Sequence, residues 1–345
     1  MKKKRILVLM HASLVPPETM DGYTEEEINE WKTEFDVVTT LRNIGHEVQP
    51  LGISDNLGVL RDGILEFKPH IAFNLLEEFH GVGVYDQHVV SYLELMKQHY
   101  TGCNPRGMLL SHDKALAKKI LAFHRIRTPR FIVVSKGKKV RRGRDLQFPL
   151  LVKSVIEEAS LGITEESIVY DDQQLKDRVA YVHGELETDA MVESYIEGRE
   201  LYVGVLGNRR LTTFPVWELH FRKAPKGLPQ IATARVKWDE AYQKKLGIET
   251  NAATDLEPDI ERSIINTVKR VYRALNLSGY ARMDLRLNDQ GQVYVLEANP
   301  NPNLSYGEDF AESAEAAGIS YEELLERIIS LGMNYQAEWR LMEIR

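Results

Sequence analysis

Residues 279–304 read GYARMDLRLNDQGQVYVLEANPNPNL. Asn288-Asp289-Gln290-Gly291 is a turn signal between two runs of alternating character, which predicts a β-hairpin. With Leu287 set opposite Gln292, Arg282 falls opposite Glu297 and Asp284 opposite Val295. Side chains alternate along a strand, so Arg282, Asp284, Glu297 and Asn299 are expected on one face. Asp284 and Glu297 are then diagonal neighbours, about 7 Å apart. Met283, Leu285, Leu287, Tyr294 and Leu296 fall on the other face, which is expected to pack. One reading of the polar face is a solvated surface with a cross-strand Arg282–Glu297 ion pair, which contributes little. The other is a Mg²⁺ site. Mg²⁺ prefers hard oxygen ligands, takes one or two carboxylates, and fills its remaining positions with water and phosphate oxygens. An arginine beside it would stabilise negative charge developing in a transition state.

Upstream, the first third alternates strand and helix. Ile6–Met10, Glu47–Leu51 and Ile71–Leu75 read as strands, with helices from Thr24, from Asn56 and over residues 85–96. Thr24 and Glu27 form a capping box. This order predicts a doubly wound parallel layer. Near residue 105 the texture changes. A helix is expected from Ser111, then short strands at Phe131–Val134, Pro149–Lys153 and Ile168–Tyr170 and a helix at Leu175–Val182. Extended segments follow from Met191, then an amphipathic helix at Ile260–Leu275, the hairpin and two terminal helices.

The chain has 345 residues, which suggests more than one domain. With 43% hydrophobic and 28% charged residues it is globular and not disordered. A net charge of −7 argues against wrapping nucleic acid. One cysteine, Cys103, excludes an intramolecular disulfide and a cysteine-rich zinc module. No run approaches the roughly 20 apolar residues of a membrane helix. The apolar run after Lys2–Arg5 is too short for a secretory signal, and a cytoplasmic protein is expected. The basic stretch Lys136–Arg144 (KGKKVRRGR) reads as a solvated turn, with phosphate attraction as the weaker alternative. Gly81 and Gly83 lack the third glycine of a dinucleotide fingerprint, because Asp86 stands there. Gly137-Lys138 lacks the Ser/Thr of a P-loop.

The hairpin resembles the metal-binding hairpin of the ATP-grasp superfamily, specifically of the D-alanine–D-alanine ligase branch. His80-Gly81 through Tyr100-Thr101-Gly102 is similar to the stretch that closes that branch's first domain. Asp113-Lys114 and Phe148-Pro149-Leu150-Leu151-Val152-Lys153 are similar to the segments carrying its two ATP lysines. Met191–Ile196 and Gly198–Leu201 are similar to those holding adenine and ribose. The resemblance covers roughly residues 80 to 330. It implies an α/β protein with a parallel layer at 1–107, a central lid domain at 108–190 and a catalytic domain at 191–345, the last two α+β. It also implies an ATP-dependent carboxylate–amine ligase that works through an acyl phosphate.

Residue by residue, it implies Lys114 and Lys153 on the α- and β-phosphates, with Ser160 and Gly162 in the covering loop. Glu193 or its neighbouring backbone, Tyr195 and Ile196 would hold adenine, and Glu200 the ribose. Lys237 would meet the γ-phosphate, Arg282 the reacting centre, and Asp284, Glu297 and Asn299 the metal. Two Mg²⁺ ions are expected, with Mn²⁺ as a substitute, and the partners are small carboxylate and amine substrates. Neither nucleic acid nor membrane is expected, and a homodimer is allowed.

The substrate parts depart from the family pattern. His11–Pro17 replaces a Gly/Ser loop that carries a glutamate. Glu157 and Glu158 stand in the phosphate-covering loop, and Ala159 and Trp238 replace a serine and a tyrosine. Glu308 and Asp309 lie near where a serine is expected to meet a carboxylate. Carboxylates repel a carboxylate and attract a cation, so at least one substrate is expected to be cationic. These acids also suit the start of a helix. A strict D-alanine–D-alanine ligase, an ATP-binding sensor without turnover, and a kinase that stops at a phosphorylated product remain as alternatives.

Overall fold

The computed structural model describes residues 2–156, 162–225, 227–337 and 340, with Trp238 described in its backbone only. The chain begins β1 (Arg5–His11), α1 (Glu25–Asn43), β2 (Glu47–Ile53), α2 (Leu57–Phe67), β3 (Ile71–Asn74) and α3 (Asp86–Leu95). The three strands pair in parallel in the order β2-β1-β3. Along β1, Leu7 and Leu9 enter one core cluster while Ile6, Val8 and Met10 enter another. That division is the signature of a parallel sheet covered on both faces. The capping box at α1 forms as expected: Thr24 N donates to Glu27 Oε2 at 2.8 Å, and Glu27 N to Thr24 Oγ1 at 3.2 Å.

Next come α4 (Pro105–His112) and α5 (Lys114–Phe123). A single helix from Ser111 was expected, but two caps divide the region. Asn104 caps α4, with Pro105 at its first position. The Asp113 carboxylate accepts from Leu116 N at 2.8 Å and starts α5. This second cap places Lys114 in the first turn of α5.

A four-stranded antiparallel sheet follows, built from β4 (Phe131–Val134), β5 (Leu150–Ser154), β6 (Ile168–Val169) and, after α6 (Asp172–Glu185), β7 (Ala190–Ser194). Its order is β4-β7-β5-β6. The rest of the chain gives β8 (Arg199–Gly207), β9 (Leu211–Thr213), β10 (Trp217–Phe221), α7 (Ala234–Trp238), α8 (Glu240–Leu246), β11 (Ile248–Ala252), α9 (Pro258–Ala274), β12 (Tyr280–Leu287), β13 (Val293–Pro300), α10 (Asp309–Ala316) and α11 (Tyr321–Asn334). Its sheet runs β11-β10-β8-β12-β13, with β9 against β8. The expected divisions at 107/108 and 190/191 cut through α4 and β7. β7 is paired on both sides within the four-stranded sheet, so that sheet extends to Ser194.

Two glycines set the approach between the first layer and the hairpin. Gly279 has φ +71°, and a Cβ there would lie 2.3 Å from Gly102 O. Gly102 has φ +91°, and its Cβ would lie 2.4 Å from Asn301 Oδ1. That amide oxygen instead accepts from Cys103 N at 2.8 Å. The C-terminal end of the hairpin is thereby tied to the exit of the parallel layer, at positions only glycine fills without strain.

Candidate active site

The hairpin forms, but in a different register. Asn288 N donates to Gln292 O at 3.2 Å, which closes a three-residue loop with Gly291 at φ +69°. Leu287 therefore faces Val293, not Gln292. A bulge then shifts the register between Asp284 and Leu285, so Asp284 faces Glu297 directly and Arg282 faces Asn299. An extra residue in one strand flips side-chain parity. Arg282, Asp284, Glu297 and Asn299 consequently share a face, as expected. The packing face is filled by Met283, Leu285, Leu287, Val293, Val295 and Ala298, and Leu296 lines a cavity instead.

The arginine does not make the cross-strand pair with Glu297. Arg282 forks onto its own-strand neighbour, with Nε donating to Asp284 Oδ1 at 2.8 Å and Nη2 to Oδ2 at 3.0 Å. Its guanidinium carbon lies 5.0 Å from the centre of the Tyr202 ring. Asn299 Nδ2 donates to Glu297 Oε1 at 3.5 Å. Lys114 Nζ stands 3.9 Å from Glu297 Oε2. Burial alone would raise the Glu297 carboxyl, but Lys114, Lys153, Lys237 and Arg282 outweigh it and hold that group down at about 2. Burial raises Asp284, with Arg282 opposing.

Glu297 and Asp284 line one cavity together with Lys114, Lys153, Lys237, Glu193, Tyr195, Ile196 and Glu200. Arg286 also lines it and was missed in the sequence. It donates through Nη2 to Glu200 Oε2 at 2.6 Å and through Nη1 to Gly198 O at 2.8 Å. Tyr202 Oη donates to the other Glu200 oxygen at 3.1 Å. Arg286 continues the alternation Arg282, Asp284, Arg286 along β12, and that was the available signal.

Lys118 was missed as well. It lies four residues after Lys114 on α5 and so shares its face. Its Nζ is 3.0 Å from Glu193 Oε2, while Lys153 Nζ is 2.8 Å from Glu193 Oε1. Both Glu193 oxygens are thus committed to lysines within a fully buried triad. With Lys118, Arg282 and Asp309 behind the cavity wall, six cations stand against five carboxylates. A cleft with surplus buried positive charge suits an anionic ligand.

Glu157, Glu158, Ala159, Ser160 and the Trp238 side chain lie outside the described residues. Gly162 is not among the cavity residues, and its carbonyl accepts from Arg178 Nη2. Asp309 lies beyond Arg282, with Oδ2 at 3.9 Å from Nη1. The expected helix does start there, with Glu308 as its N-cap. Burial raises the carboxyls of Glu308 and Asp309, and the first is raised further by the second. Two further acids interact with each other at the parallel layer. Glu34 on α1 is 5% exposed and feels Glu77 beyond the end of β3.

The Glu34 carboxyl is pushed up to about 7, first by burial and then by Glu77. A raised carboxyl contributes stability below its unfolded value near 4.5, and that contribution is lost as pH rises toward 7. The loss is roughly 3 kcal/mol. Glu34→Gln should therefore raise Tm more at pH 8 than at pH 5. Equal changes at the two pH values would contradict the buried, repelled state of this carboxyl.

The three sheets, with a charged cleft between the two antiparallel ones, define an ATP-grasp ligase that joins carbon to nitrogen. A family model described as D-ala D-ala ligase C-terminus matches residues 119–330. The chain belongs to the D-alanine–D-alanine ligase family, whose shared activity is ATP-dependent carboxylate–amine ligation. An uncharacterized protein, y4sG, of Sinorhizobium fredii is 30% identical, over 86% of this chain and 85% of that one. A D-alanine–D-alanine ligase of Syntrophotalea carbinolica is 29% identical over 96% of each chain. The structure of the D-alanine–D-alanine ligase of Bacillus anthracis complexed with ATP superimposes with TM-score 0.75, at 24% identity over 99% of each chain. The VanG D-Ala:D-Ser ligase of Enterococcus faecalis gives TM-score 0.69, at 18% identity over 96% of this chain and all of that one.

Proposed function

We propose that this enzyme activates a carboxylate substrate with ATP and couples it to an amine substrate that is cationic overall or lacks a free carboxylate at its attacking end. The observation that carries the reading is the face Arg282, Asp284, Glu297 and Asn299, set against three lysines in one cleft, with Asp309 beyond Arg282. A carboxylate oxygen attacks the γ-phosphorus of ATP, ADP leaves, and an acyl phosphate forms. The amine nitrogen then attacks the acyl carbon, inorganic phosphate leaves with the C–O bonding pair, and the amine loses a proton. Lys114, Lys153 and Lys237 bind phosphate oxygens, and Arg282 stabilises the tetrahedral species. The Met191–Ile196 segment takes adenine through backbone groups and Tyr195, and Glu200, held by Arg286 and Tyr202, takes the ribose.

The donor set fits Mg²⁺: two facing carboxylates and an amide oxygen, with room left for phosphate. Asp284, Glu297 and Asn299 would hold it. When bound, Mg²⁺ supplies neutralisation of phosphate charge; two ions are expected, and Mn²⁺ can substitute. By sheet membership we divide the chain at about 107 and after 194. We read the protein as a cytoplasmic enzyme of small substrates that needs neither nucleic acid nor membrane, and a homodimer is compatible with that.

ATP affinity checks the nucleotide roles. Charge-assisted hydrogen bonds contribute about 1.5–3 kcal/mol, so Lys153→Ala and Glu200→Ala should each weaken ATP roughly ten- to a hundredfold by calorimetry. Unchanged affinity in both variants would put the nucleotide elsewhere.

Glu308 and Asp309 support the cationic acceptor. Setting a substrate carboxylate against them would cost several kcal/mol. D-alanine, L-arginine, L-lysine and a diamine should be compared as acceptors against a panel of carboxylates. Turnover with the basic acceptors should fall when Glu308 and Asp309 are made neutral. Efficient D-alanyl-D-alanine formation would instead establish the second reading, a strict D-alanine–D-alanine ligase, which the family match favours. Carboxylates, amide and arginine together on one face argue against a sensor without turnover. ADP release that depends on an added amine would separate a ligase from a kinase.

A further inference from the structure

The turn between α5 and β4 forms a second cavity, away from the cleft. It measures about 680 Å³ and shares no lining residue with the first. Arg125, Arg127 and Arg130 line it, over an apolar floor that includes Ile126, Phe131 and Leu146. All three arginines are exposed, and among the described residues none of their guanidinium groups meets an acceptor. Arginine forks without acceptors are costly to hold close together, and they match phosphate oxygens two at a time. One carboxylate, Asp145, stands at the same cavity.

The surrounding sequence strengthens the field. Nine of the twenty residues from Arg125 to Arg144 are Lys or Arg and none is Asp or Glu, in a chain of net charge −7. The basic loop read in the sequence as a solvated turn folds back so that Gly143 joins the cavity wall. Within that loop Arg142 is committed, donating to Asp172 Oδ1 at 3.0 Å and to Leu146 O. Arg141 and Arg144 are exposed and have no such partner among the described residues. The backbone beneath is firmly held. Arg127 O accepts from Val295 N at 2.9 Å, and Arg130 O from Ser194 N at 2.8 Å. Arg127 and Arg130 therefore project from a strip whose backbone is tied to β13 and β7.

We propose that this cavity is a second anion site, which takes a small polyphosphorylated metabolite. Its phosphates sit on Arg125, Arg127 and Arg130, and its less polar part rests against Phe131 and Leu146. The cavity is of the size of ordinary small-molecule sites, about 300–1,000 Å³. The apolar floor gives a compact ligand a surface to rest on, and the net charge of −7 on the chain would repel an extended nucleic-acid strand.

Inorganic tripolyphosphate is the probe, titrated by calorimetry into the full-length enzyme with its cleft saturated by Mg²⁺ and a non-hydrolysable ATP analogue. One further molecule should bind. Its affinity should fall at least tenfold in Arg125→Ala/Arg127→Ala/Arg130→Ala and fall steeply with salt, while ATP-analogue binding stays unchanged. Arg125→Lys/Arg127→Lys/Arg130→Lys, which keeps charge but loses the forks, should retain part of the affinity. No binding to the saturated enzyme, or equal binding by the alanine variant, would overturn the site. A single-stranded RNA 12-mer that binds more tightly than tripolyphosphate through the same arginines would overturn the choice of a small ligand.

Discussion

Glu297→Gln should lower kcat by about 100- to 1,000-fold while leaving the fold intact, the range seen when one preorganised electrostatic contact to a transition state is lost. The side chain keeps its shape, so circular dichroism should show the same fold, while Tm should fall because the cations that hold this carboxyl low lose their partner. What disappears is one negative charge that Lys114, Lys153, Lys237 and Arg282 surround. In the proposed chemistry that charge holds the metal against the phosphates. ADP release measured at saturating ATP and Mg²⁺ checks this, and a wild-type rate would refute the metal assignment.

The second large effect is on stability. Glu193 sits between Lys118 and Lys153 and is 1% exposed. Burial would raise its carboxyl, but the two lysines outweigh burial and lower it. Glu193→Gln leaves two ammonium groups buried with no carboxylate between them. Removing one partner of a buried ion pair costs about 3–5 kcal/mol. Chemical denaturation should show a loss of that order, and Lys118→Met paired with Glu193→Gln should recover part of it. A Glu193→Gln protein as stable as wild type would show that the triad is not the clasp between α5 and the four-stranded sheet.

The sequence made the site's membership more legible than its contacts. Alternation along β12 and β13 put Arg282, Asp284, Glu297 and Asn299 together, and they are together. It could not place them across from one another, because register depends on Gly291 and on the bulge before Leu296. Two successive departures from the simple hairpin restored the parity that the pattern assumed. Asp113 and Asn104 were readable caps, yet the helix they divide was read as one. Lys118 and Arg286 were hidden for a common reason. Buried charges that serve other charges leave no signal until their partners come from distant strands. Glu193 shows the same limit, since its place on β7 was clear while its commitment to Lys118 depends on α5 packing beside it. The proposed substrate end was legible only as a departure, with acids at 308 and 309.

The central claim is that a carboxylate oxygen attacks ATP and later leaves with the phosphate. Isotope transfer tests it most directly. The enzyme is incubated with ATP, Mg²⁺ and an amino-acid mixture carrying ¹⁸O in every carboxylate, and the released inorganic phosphate is analysed by mass spectrometry. An acyl phosphate requires one ¹⁸O atom in each phosphate formed, together with a condensed product of the mixture. ADP release that proceeds with unlabelled phosphate would contradict the ligase chemistry proposed for this cleft.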